Sequence, residues 1–102
     1  MIGYLTNKNV AENITEITRN LQLSRNWPVF WLIEGMPIES GVYSGQYFVP
    51  FDDTVINCPL IGNPIQTPQD FPEFQQMIDV LGDLDTRIDV PNEYFNKPFP
   101  LE

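Results

Sequence analysis

Gly41-Val42-Tyr43-Ser44-Gly45-Gln46-Tyr47-Phe48-Val49-Pro50-Phe51-Asp52-Asp53-Thr54-Val55-Ile56-Asn57-Cys58-Pro59-Leu60 is the stretch on which the fold class turns. In its first half, Tyr43, Tyr47 and Val49 alternate with Ser44 and Gln46, the period of a half-buried strand. Gly45 lies inside that run and marks a bulge. Asp52-Asp53 reads as a turn. In the second half, Ile56, Cys58 and Leu60 fall on one face, which predicts another strand over 54–60. Pro59 sets that strand at an edge or ends it early. Two strands joined by so short a link pair antiparallel, because parallel neighbours need a long crossover.

Working outward, Val29 to Ile33 is apolar on both faces and predicts a strand covered on both sides. Glu34-Gly35-Met36-Pro37 is the turn that follows it. Residues 9–23 predict an amphipathic helix, because Val10, Ile14, Ile17 and Leu21 share one face. Asn7 or Asn9 can cap its start, and Pro28 keeps it from continuing. Asp70 to Leu81 predicts a second helix with Phe71, Phe74, Ile78 and Leu81 as its apolar stripe. Asp70 is its expected cap, Pro72 fits its first turn and Gly82 stops it. Residues 87–90 are the candidate for a short fourth strand. Residues 91–102 read as an extended tail, rich in proline and aromatics, that packs through Tyr94, Phe95 and Phe99 or docks on a partner. The expected architecture is a single α+β domain over residues 1–102. It has two layers, in the order helix, three-stranded antiparallel meander, helix.

Size and composition agree with one folded unit. The chain has 102 residues, 42% of them hydrophobic and 13 of them aromatic, which is enough apolar mass for one core. Cys58 is the only cysteine, so no disulfide forms within the chain, and a reducing, cytoplasmic setting is expected. The first eight residues lack the pattern of a signal peptide. The apolar run 29–33 is too short to span a bilayer.

Charge is the one functional clue. Between Arg25 and Arg87 there is no basic residue. That span holds Glu34, Glu39, Asp52, Asp53, Asp70, Glu73, Asp79, Asp83 and Asp85, and so accounts for the whole net charge of −9. Five scattered basic residues cannot neutralise a phosphate backbone or dock on an anionic membrane, so direct nucleic-acid binding and membrane binding are excluded. With no histidine in the chain, Ser-His and Cys-His nucleophile pairs and imidazole metal ligands are excluded too. Asp83, Asp85 and Asp89 lack the spacing and the terminal glutamate of a calcium loop. No cofactor or metal is expected.

The first functional reading is a small, non-catalytic binding protein that engages a basic protein surface. Glu34, Glu39, Asp52 and Asp53 supply the field, and Trp27, Trp31 and Tyr47 are the aromatic anchors. The likeness to inhibitor and immunity proteins is one of charge alone. A second reading is a small-ligand pocket between sheet and helix, lined by Phe30, Tyr43, Phe71 and Phe74. A third, an enzyme working through paired carboxylates, has no motif behind it. Homodimerisation is compatible with all three, through the 54–60 edge strand or the C-terminal tail.

Overall fold

The computed structural model describes residues 1–25, 32–59 and 62–95, apart from the side chains of Ser24 and Arg25. Trp27, Phe30, Trp31, Leu60 and Phe99, all named above, lie outside them, as does most of the 29–33 run; Leu32 and Ile33 are not in a strand.

The fold is α+β, as the sequence predicts. β1 (Ile2–Thr6) leads into α1 (Lys8–Arg25), followed by β2 (Met36–Pro37), β3 (Tyr47–Pro50), α2 (Asp53–Ile56), α3 (Pro72–Leu81) and β4 (Ile88–Asp89). The strands form one antiparallel sheet in the order β2-β3-β1-β4. Strand β1 therefore sits in the interior of the sheet, between β3 and β4. Gly3 makes that position workable, since a Cβ there would run into the Val49 carbonyl oxygen and the Phe48 ring.

Both helices follow their apolar spacing. Asn7 caps α1, its Oδ1 accepting the Val10 N–H at 2.9 Å. Ile14 and Leu21 are buried and Val10 and Ile17 half-buried. Gly82, at φ +121°, ends α3, its N–H donating to the Ile78 carbonyl. Asp70 does not cap α3. Its carboxylate accepts the Thr67 N–H at 2.8 Å across a short 3₁₀ turn, Pro68–Asp70.

The strand expected over 54–60 is instead the single helical turn α2. Asp52 accepts the Val55 N–H at 2.8 Å, and this cap turns the chain helical where alternation alone suggests extension. No edge strand exists over 54–59, so the dimer contact expected there has no strand to form it. The strand expected over 41–51 is shorter. Residues 41–45 form a turn with Gly41 and Gly45 at positive φ, and pairing resumes at Tyr47. Gly45 thus belongs to the hairpin loop rather than to a bulge.

The register sorts the sheet into two faces. Tyr4, Tyr47 and Val49 face the helices and join Ala11, Ile14, Ile33, Phe51, Ile56, Phe74 and Met77 in the main core. Phe48 and Leu5 face the other way and pack with Ile38, Val90, Tyr94 and Phe95. The tail thus covers the second face as far as Phe95. The carbonyl of Tyr94 accepts the N–H groups of Glu39 and Ser40.

Tyr4 is buried beneath the turn after α3, edge-on to Phe51, and its hydroxyl donates to the Asp83 carbonyl at 3.0 Å. Burial pushes its phenol above the ordinary value of 10.0; Arg87 pulls it back in part, and Asp83 and Asp85 push it up again. Below pH 10 the phenol is protonated in both the folded and the unfolded chain. Above that pH the unfolded chain loses the proton first, so folding weakens as pH rises. Tyr4→Phe is expected to cost about 1 kcal/mol at neutral pH, the worth of one hydrogen bond, and to flatten the alkaline limb of a stability–pH curve measured by urea unfolding. An alkaline limb as steep as the parent's contradicts this assignment.

Candidate interaction surface

Three of the four turn acids have partners within the fold. Asp52 is the cap of α2. Asp53 receives the Arg87 Nη2 at 2.7 Å. Glu34 lies 3.6 Å from Arg19 on α1. The carboxylate of Glu39 has no hydrogen bond or ion pair among the described residues, and it stands at the rim of a shallow depression with Met36, Pro37 and Phe95.

Arg87 closes the basic-free span in sequence and is turned inward in space. Its side chain is 15% exposed. Nε donates to the Leu84 carbonyl and Nη1 to that of Phe51, at 2.7 and 2.6 Å. The guanidinium ties the end of β3 and the start of α2 to the turn before β4. Asp53 therefore meets the 83–87 turn across a long sequence separation, and the charges of Asp83 and Asp85 are felt at Tyr4 beside it. No local pattern in the sequence ties Asp83 and Asp85 to Asp53.

The described aromatic candidates separate. Tyr47 is half-buried on β3. Tyr43 packs on Tyr94 at 6.2 Å, behind the sheet. Phe74 lies in the main core against Phe51 at 5.6 Å, and Phe71 packs near Leu21 with Cys58. Between sheet and helices, Phe51, Ile56, Phe74 and Met77 surround an apolar space of about 10 Å³. That is room for one water-sized probe. Phe30, expected at a pocket there, lies outside the described residues.

The larger opening is on the flank of α1. Ala11, Glu12, Thr15, Glu16 and Arg19 line one side of an open groove of about 590 Å³, and Gly35 and Tyr47 line the other. Its floor is set by close approach. A Cβ on Gly35 would meet the Ala11 Cβ at 2.5 Å. The Thr15 hydroxyl accepts the Gly35 N–H at 2.8 Å and donates to the Ala11 carbonyl at 2.9 Å. The groove was not legible in the sequence, because Gly35 reads there only as a turn residue.

No protein-family model, curated protein or solved structure matches the chain. Among the described residues no helix is long and apolar enough to cross a membrane. None of their Cys, Asp and Glu side chains gather in threes as a metal site would require.

The geometry separates the structural from the solvent-facing charge. Arg87→Met is expected to cost about 3 kcal/mol in urea unfolding, the scale of charge-assisted hydrogen bonds lost from a largely buried guanidinium. Asp53→Asn is expected to cost less than about 1 kcal/mol, because that carboxylate is 72% exposed. Equal losses would contradict the inward role of Arg87.

Proposed function

We propose that this protein is a small, non-catalytic interaction protein that engages a basic protein surface. One observation carries the reading, the disposition of exposed charge. Glu12, Glu16, Glu34, Glu39, Asp53, Asp70, Asp79, Asp83, Asp85, Asp89 and Glu93 are exposed. The exposed basic side chains among the described residues are Lys8 and Arg19, both on α1, and each lies against a carboxylate, Glu12 and Glu34 respectively. Arg87 is spent inside the fold. The outward field is therefore negative, and such a field draws a positively charged partner and speeds its encounter. Asp53, Asp83 and Asp85 lie on the two remote segments that Arg87 joins, Asp53 at the start of α2 and the other two on either side of Leu84.

Immobilised protein is expected to retain basic proteins from a lysate at low salt and to release them as salt rises. The double variant Asp83→Asn/Asp85→Asn is expected to retain less. No recovery at low salt, or retention indifferent both to salt and to the two substitutions, would overturn the reading.

A further inference from the structure

We propose that the groove on the flank of α1 receives a lysine or arginine side chain presented by the basic partner. The inference rests on the reading above and gives that surface a defined point of entry. The polar groups of the groove are almost all engaged. Glu12 lies 4.0 Å from Lys8, and Arg19 lies 3.6 Å from Glu34. The Thr15 hydroxyl both donates and accepts within the fold. Two groups remain. The Glu16 carboxylate is exposed, with no hydrogen bond or ion pair among the described residues, and Tyr47 supplies an aromatic wall whose hydroxyl likewise makes none.

Arg19 is held by Glu34, so what Glu16 lacks is a positive charge with hydrogen-bond donors. A guanidinium or ammonium group meets that need twice over. It pairs with Glu16, and it is attracted by the electron-rich face of an aromatic ring. Gly35 and Ala11 pack against each other at the floor, and the groove stands open above them, so a flat or slender group can lie along the helix. The groove is open along its length, which suits a side chain still attached to a large body. The adjacent Arg19–Glu34 pair sets the polarity: a ligand carboxylate must compete with Glu34 for Arg19, whereas a cation at Glu16 displaces no partner among the described residues.

The test is a ¹⁵N–¹H NMR titration with N-acetyl-arginine amide and N-acetyl-lysine amide, with N-acetyl-glutamine amide as the neutral control. Saturable shifts are expected at the amides of residues 11–19, Gly35 and Tyr47 with the two cationic probes and not with the neutral one. Glu16 is exposed, so Glu16→Gln should fold normally, and it is expected to weaken binding about three- to fivefold, the effect of one exposed charge pair. Gln76→Ala, at an exposed position of α3 that does not line the groove, is expected to leave the groove shifts unchanged. Shifts of equal size with the neutral probe, no saturable shift at these residues, or no effect of Glu16→Gln would overturn the inference. Failure here with salt-dependent capture intact removes the groove alone. A responsive groove without any salt-dependent partner removes the wider reading instead.

Discussion

Two threonine hydroxyls hold the chain between α1 and β2 against the helix, and the arrangement on that side of the molecule depends on them. Thr18 is fully buried, and its Oγ1 accepts the Ile33 N–H at 3.2 Å. Thr15 accepts the Gly35 N–H one turn earlier. Among the described residues, 33–35 have no neighbouring strand to bond with, and a buried amide left unpaired would cost about 1–3 kcal/mol. The helix supplies the missing acceptors from its own side chains. Ala11 and Gly35 let the two backbones come close enough for those bonds to form. Ile33 then enters the main core, β2 starts in register with β3, and the groove is left open beside Tyr47.

The same economy governs the charges. A chain at net −9 with few basic residues places each described one with care. Arg87 is used as an internal staple and not as a surface group. Its three donors meet the carbonyls of Phe51 and Leu84 and the carboxylate of Asp53. That choice brings acids from two distant segments to one region and leaves little positive charge to offset them. Stability and outward field are linked in this way: the residue that holds β3 to the turn before β4 is largely buried, and the one exposed carboxylate it pairs with is that of Asp53.

The elements that could be read in the sequence are those whose signal is local and repeated. The stripe of Val10, Ile14, Ile17 and Leu21 and that of Phe74, Ile78 and Leu81 each run for several turns, and both helices lie where the spacing puts them. Gly82 as a stop needs only its own backbone. β1 is not legible in the sequence, because five residues with Gly3 in second place carry no alternation of any length, and the strand exists through pairing with β3 and β4 far along the chain. The 54–60 stretch misled for the opposite reason. Its alternation is real, but the Asp52 cap and the burial of Ile56 in the core outweigh it. At the candidate surface, exposed acids could be read from composition. The inward turn of Arg87 and the groove beside Gly35 could not, since both are tertiary.

Amide hydrogen exchange at Ile33 and Gly35 tests the threonine clamp most directly. Both amides lie outside every helix and strand, and their hydrogen bonds among the described residues are those to Thr18 and Thr15. The account predicts that they exchange as slowly as the paired amides of β1 and β3, opening only with global unfolding. Exchange at the rate of exposed loop amides would contradict it.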